Sequence, residues 1–403
     1  MVINGARGRV ALLLLVCAAA RPAFAGDGLL QNGNFEYAPD GSQMNGTRVT
    51  GPHAIPNWES TGFVEYIDSG TTQGGMVLSV PEGAHAVRLG VDSSVRQQLS
   101  VTNGSYYSVT FSAARTCAQS EKLRLSVIPG HDDDAPNELP IQTVYSTSGW
   151  DSYSWAFIAA QDGAVTLVIH HADDGVDDPA CGPIIDAVAI KTLTIPNPPY
   201  SQDGSGGSKN DLLRNGGFEE GPYMIPGSAA CGVLVPPMDE DAVSPLPGWM
   251  VMSYSKAVKY VDVSGTRAVE LVAGVEAALV QEVETVPGAD CRMEFSVGDA
   301  GDGCAAACDD DDANGNGIGM RVTAAAGEAS TSVAHCSKGG RWERGVLEFK
   351  AVESRTRVVL FSAGYHTRSD GSGTLCGPVV DDVSLVCASS TPPPARRRLL
   401  RRR

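Results

Sequence analysis

The chain is short of aromatic residues, of basic charge, of helical periodicity and of long apolar runs, and each shortage removes a class of protein. Phe, Trp and Tyr make up 6% of the 403 residues, so an aromatic-lined surface has little to draw on. Thirty Lys and Arg stand against 47 Asp and Glu, a formal net charge of −17. A chain so acidic repels phosphate backbones, which excludes nucleic acid as a partner. There is no His-Glu-x-x-His and no Gly-x-Ser-x-Gly, and no Asp or Glu sits in a recognisable catalytic motif, so the expectation is a protein that is not an enzyme. After the N-terminal segment no apolar stretch approaches the roughly 20 residues that cross a bilayer, and no membrane span is expected.

What is present begins with an export signal. Arg7 and Arg9 precede an apolar run from Ala11 to Ala20, and Ala23-Phe24-Ala25 is a small-x-small cleavage site. Residues 1–25 therefore read as a secretory signal peptide, and the mature protein as secreted and extracellular. Export makes Asn45-Gly46-Thr47 and Asn103-Gly104-Ser105 glycosylation sequons on turns, with Asn45 and Asn103 the acceptors. At the other end, residues 389–403 form a Pro- and Arg-rich tail with six arginines after Ala395. Its plainest reading is a solvated run of like charge; its sharper one is a hook for an acidic polymer.

Between these ends the sequence repeats. Leu29-Leu30-Gln31-Asn32-Gly33-Asn34-Phe35-Glu36 returns as Leu212-Leu213-Arg214-Asn215-Gly216-Gly217-Phe218-Glu219. Pro56-Asn57-Trp58 answers to Pro247-Gly248-Trp249, Glu65-Tyr66 to Lys259-Tyr260, Trp150 to Trp342, and Cys181-Gly182-Pro183 to Cys376-Gly377-Pro378. A unit this long is a duplicated domain, not a solenoid repeat. Its copies span 27–194 and 211–388, joined by a Pro- and Gly-rich linker at 195–210.

Period-two alternation runs through Tyr107, Val109 and Phe111, through Leu123, Leu125 and Val127, and through Cys291, Met293, Phe295 and Val297. Many short half-buried strands parted by Gly, Pro, Asn and Asp predict an all-β fold of two tandem jelly-roll β-sandwiches. In an oxidising compartment Cys117–Cys181 and its counterpart Cys304–Cys376 are expected to be disulfides. Cys291 and Cys387, in phase with core positions, are placed to meet inside the second sandwich. Cys308 with Cys336 is a looser pairing.

The repeated Leu-Leu-x-Asn-Gly-x-Phe-Glu, the run Gly51-Pro52-His53-Ala54-Ile55-Pro56-Asn57-Trp58, Ala113-Ala114-Arg115-Thr116-Cys117-Ala118-Gln119 and the two Cys-Gly-Pro runs resemble the plant cell-wall DUF642 proteins. The resemblance implies two galactose-binding-like domains, a location in the wall, and non-catalytic binding of polysaccharide, in particular pectin. It also implies partnership with pectin methylesterase; the alternative is a regulator of a wall enzyme that touches no sugar. Similar jelly rolls hold a structural calcium with terminal carboxylates and backbone carbonyls, the carboxylates here being Glu36 with Asp186 and Glu219 with Asp381. Calcium takes six to eight oxygens, so the competing reading is carboxylates bonded to turn amides. No other cofactor is expected.

For the ligand itself, Ser108, Thr110, Ser112, Ala84, Ala86 and Arg88 read as outward positions of the first domain. Such a small, polar face suits hydrogen bonding and charge pairing better than stacking on crystalline cellulose. Arg88 and Arg115 are then the cations for an acidic polymer, and Trp155, with no counterpart in the second copy, is the lone aromatic to join them. The paired tryptophans read as core. Asp310-Asp311-Asp312-Ala313-Asn314-Gly315 opens like a calcium loop but has Arg321 where a glutamate is needed. His170 and His171, adjacent on a strand, point to opposite faces and cannot share a metal.

Overall fold

The computed structural model describes residues 28–73, 76–116, 121–129, 138–142, 144–146, 148–172, 178–194, 211–225, 232–238, 243–304, 319–336 and 342–388. The signal segment, the linker, the Arg-rich tail, Cys117, Cys308 and the Asp-rich insertion lie outside these residues. Among the described residues the only helical turns are two of 3-10 type, Gly41–Gln43 and Gly274–Glu276; everything else regular is strand.

In the first copy the principal strands are β1 (Val64–Asp68), β2 (His85–Leu89), β3 (Ser93–Val101), β4 (Tyr106–Ala114), β5 (Lys122–Ile128), β6 (Asp151–Ile158), β7 (Gly163–His171) and β8 (Ile184–Leu193). In the second they are β9 (Val233–Val235), β10 (Val258–Val263), β11 (Thr266–Glu270), β12 (Ala278–Glu284), β13 (Asp290–Gly298), β14 (Met320–Ala326), β15 (Ala329–His335), β16 (Glu343–Lys350), β17 (Arg355–Ser362) and β18 (Val379–Cys387). Each copy is a sandwich with sheets on either side of an apolar core. β5, β7 and β3 pack over β1-β2-β8-β4-β6 in the first; β12, β17, β14 and β15 pack over β10-β11-β18-β13-β16 in the second.

The alternating residues are the core, as their period predicts. Val109, Phe111, Leu123, Leu125, Leu167 and Ile169 are completely buried, and Tyr107 stacks on Phe157 with ring centroids 5.2 Å apart. Met293, Phe295 and Val297 do the same in the second copy.

The repeated motifs recur because they build one hydrogen-bond frame. Asn32 takes a positive φ, and its side chain bonds Tyr37 N at 2.9 Å and Pro56 O at 3.0 Å. Trp58 Nε1 donates to Asn32 O at 2.8 Å. Asn215 and Trp249 repeat these contacts at 3.1, 3.0 and 2.9 Å. Tyr66 and Tyr260 each close the frame by donating to the carbonyl of Phe35 and of Phe218. The glycine of each Cys-Gly-Pro run lies against the neighbouring strand: a Cβ on Gly182 would sit 1.9 Å from Leu89 O, and one on Gly377 2.1 Å from Leu271 O. No other residue fits there.

The halves are not beads on a string. β9, from the second copy, pairs in parallel with β6 of the first at Tyr153↔Leu234 and antiparallel with β10, so one 13-stranded sheet runs through both sandwiches. Tyr106 Oη bonds Ser244 O across the seam. Ser154 Oγ donates to Leu234 O at 2.8 Å, Lys191 Nζ to Gly221 O at 3.1 Å, and Leu375 N to Val144 O at 2.7 Å.

Cys304–Cys376 and Cys291–Cys387 are both bonded as the pattern predicts. Cys181 and Cys336 are also in disulfides, and among the described residues no cysteine is free. Such bonding belongs to an oxidising compartment.

Candidate ligand-binding face

In each copy one sheet turns its outer face away from the core, and the two copies treat that face in opposite ways. In the first copy it carries Ser108, Thr110, Ser112, Ser152, Ser154 and Ala156, all buried. Two things cover it. The second copy lays residues 232–238 and 243–246 across it, packing Val243 on Tyr106 and Ala156. From the connection between β1 and β2, residues 76–84 fold over the rest, where Leu78 packs on Ile67, Ala86, Ile184 and Trp150. Trp150 Nε1 donates to Ser79 O at 2.6 Å, and the ring is only 7% exposed.

This corrects the sequence expectation for the first domain. Its small polar face is small because another domain docks there, not because a sugar does. Arg88 is 3% exposed and pairs with Glu65 at 3.1 Å, so it is no surface cation. Trp155 faces inward, as its position between outward Ser154 and Ala156 requires, and stacks on Phe157 at 5.5 Å. Arg115 is half-buried just beyond β4, and the three do not form an open site.

In the second copy the part of the equivalent face carried by β13 and β16 is open. The β10–β11 connection is just Ser264-Gly265, and Val261, Ala268 and Val379, the counterparts of Ile67, Ala86 and Ile184, are buried with Ala300 packed against them. Trp342, the counterpart of Trp150, is 37% exposed and rests on Gly298, where an added Cβ would come within 2.7 Å of the ring. Beside it the six small positions of the first copy have become Arg292, Glu294, Ser296, Arg344, Val346 and Glu348 on β13 and β16. Arg292 Nε bonds Glu294 at 2.7 Å and its Nη1 bonds Glu348 at 2.6 Å; Arg344 reaches the other oxygen of Glu294. Lys350 meets Asp290 at 3.1 Å, closing the row. These pairings hold the Glu294 carboxyl below its usual range. A part-exposed indole beside a lattice of donors and acceptors can hold a polyhydroxylated chain.

On the same side of the sheet, on β10 and β11, lies a buried ion pair, Lys259–Glu270, 3.3 Å apart and each 1% exposed. It occupies the Glu65–Arg88 positions with the charges exchanged. Glu270 also accepts from Gly377 N at 2.9 Å, where Arg88 Nε instead donates to Gly182 O. The lone loop group thus differs with the sign of the pair. Arg368–Asp302, at 2.9 Å, stands beside it. From the first copy Asp151 enters this group. Burial pushes its carboxyl up to about 7 even though Lys259 and Arg368 pull it down.

The carboxylates read as calcium ligands do approach in pairs. Asp186 is buried near Glu36 and Glu82, and burial raises it well above the carboxylate range; Asp381 is pushed up to about 7 by burial, with Asp382 and Glu219 adding. Their oxygens, however, face N–H groups. Glu36 Oε1 accepts from Ala84 N and His85 N at 2.7 and 2.9 Å, and Asp186 from Ala187 N and Glu82 N at 2.6 and 3.2 Å. Among the described residues no three or more His, Cys, Asp or Glu converge as ligands. That arrangement does not fit a calcium shell of six to eight oxygens. Glu36 and Asp186 make the turn-amide contacts of the competing reading.

The remaining sequence candidates fall as their chemistry suggests. Asn45 and Asn103 are exposed. His170 meets Asp92 at 3.0 Å on the outer face, while His171 is buried against Gly90 O. Trp342 is what sequence reasoning missed, because recurrence with Trp150 suggested a shared core role. The signal was there: between Tyr66/Tyr260 and Arg88/Glu270 the second copy is shorter, against its general lengthening, and the missing residues are the cover.

A family model described as "Protein of unknown function (DUF642)" matches residues 28–191 and again 211–386. The chain belongs to the DUF642 family. Each match is one sandwich, so the family's unit is the duplicated domain. In Arabidopsis thaliana, Protein DUF642 L-GALACTONO-1,4-LACTONE-RESPONSIVE GENE 2 is 50% identical over 367 residues, covering 89% of this chain and 91% of that one. The protein named with GENE 1 is 49% identical over 385 residues, covering 94% and 96%. Protein TEEBE is 41% identical over 369 residues, covering 90% and 92%. Among solved structures, the tandem CBM22-1–CBM22-2 domains of Paenibacillus barcinonensis Xyn10C align with 92% of this chain and 99% of theirs, at 12% identity and a TM-score of 0.26. The tandem CBM51 modules of Streptococcus pneumoniae Sp3GH98 align with 82% and 100%, at 10% and 0.24. Likeness at that level says nothing about a ligand.

Proposed function

We propose that this DUF642 chain is an exported, non-catalytic protein of the cell wall that binds polysaccharide through the open face of its second domain. The observation that supports this reading is Trp342: the same indole is sealed beneath a connection in the first copy and left part-exposed beside a hydrogen-bonding lattice in the second. The first domain then serves as a rigid mount, its own face spent on docking. Pectin as the polymer and a pectin methylesterase as a protein partner are the finer parts of the proposal, and both come from the family resemblance.

The test contrasts two equivalent tryptophans. Trp342→Ala should weaken retention on wall polysaccharide at least about tenfold while moving Tm little, since the ring packs on one side only. Trp150→Ala should cost roughly 3–5 kcal/mol of stability, because it empties a buried site and orphans Ser79 O. Unchanged retention by the Trp342 variant on immobilised wall fractions would remove the site.

A further inference from the structure

The chemical class of the glycan follows from how the open face is charged. Among the described residues Arg292, Arg344 and Lys350 are its cations, Glu294, Glu348 and Asp290 its carboxylates. Each cation already lies within bonding distance of one of these carboxylates, and the two sets are equal in number. A uronate would have to draw a guanidinium away from its glutamate, then sit beside the carboxylate left behind. It would do so on a chain of net charge −17, and like charges so placed are costly. A sugar hydroxyl meets no such obstacle. It both donates and accepts, so it bridges a guanidinium N–H and a carboxylate oxygen without breaking the pair. The exposed side of Trp342 offers apolar area to the C–H face of a pyranose.

We infer that the second domain's open face takes an uncharged glycan chain and discriminates against free uronate. This rests on the polysaccharide-binding reading and adds the charge rule to it. Pectin would be held in its esterified, uncharged form.

Hexagalacturonate and its fully methyl-esterified form share one backbone and differ in charge, so the pair isolates this rule. Calorimetric titration of the full chain should show the ester binding at least about tenfold more tightly than the free acid, with little change between 50 and 500 mM NaCl, since no net charge is paired. Trp342→Ala should abolish binding of the ester. Glu294→Gln with Glu348→Gln, checked for an unchanged Tm, should release the guanidinium groups and raise affinity for the free acid several-fold, chiefly at low salt. Equal or tighter binding of the free acid by the unaltered chain, lost in Trp342→Ala, would overturn the charge rule and leave the binding face standing. Should neither hexamer nor an uncharged β-1,4-linked hexaose bind, the binding reading itself fails, and the rule with it.

Discussion

Replacing Lys259 by alanine should destabilise the protein by about 3–5 kcal/mol, the largest effect expected of any single surface-distant charge change. The reason is what remains behind. Glu270 is 1% exposed and would keep only the amide of Gly377 as a partner for its charge. Its carboxyl is already raised by burial, with Lys259 the leading influence holding it down. Removing both charges is another matter: Lys259→Met with Glu270→Leu should lie far closer to the parent, because a buried pair contributes little over apolar residues of similar size. Equilibrium unfolding in urea separates these outcomes. A single-variant loss below about 1 kcal/mol would mean the pair is hydrated.

The second large effect is on pH. Burial pushes the Asp151 carboxyl from the ordinary 3.8 up to about 7 in the folded chain. A carboxyl whose folded value is raised stabilises the fold through its protonated form. That contribution is complete below about pH 4, shrinks as pH rises, and is gone above 7. Three units correspond to at most about 4 kcal/mol. Asp381 shifts the same way, so stability should fall between about pH 4 and 7 and Tm with it. Glu138 and Glu294 have lowered values and pull in the opposite direction only at more acid pH. Asp151→Asn should flatten the decline, since the amide keeps the shape and cannot ionise. An equally steep Tm profile in that variant would show that Asp151 is hydrated at the seam. Because Asp151 comes from the first copy and Lys259 and Arg368 from the second, the same titration bears on how firmly the copies dock.

Much of this architecture was legible beforehand. Val109 and Phe111, or Met293 and Phe295, face inward because alternation allows a strand only two faces. Cys291 and Cys387 were placed together by phase alone. The duplicated Asn-Gly-x-Phe-Glu and Pro-x-Trp runs announced two copies of one frame, and the bonds of Asn32 and Asn215 explain why those residue types recur. What misled was the other face. Ser108, Thr110 and Ser112 look the same in sequence whether they meet water or a second domain, since a small polar side chain suits either. Arg88 reads as a surface cation unless Glu65 is known to lie opposite it, across a register no local pattern specifies.

The amino-acid order by itself therefore determined the strands, their inward faces, the duplication and the cysteine pairings it could reach by phase. These depend on periodicity and on repeats, which are written along the chain. The tertiary structure alone decided which of two equivalent faces stays open. Burial of an outward side chain is set by whatever packs on it from far away in sequence. For the first copy that was residues 232–238 and 243–246 with residues 76–84; in the second copy the outward side chains of β13 and β16 are left exposed or part-exposed.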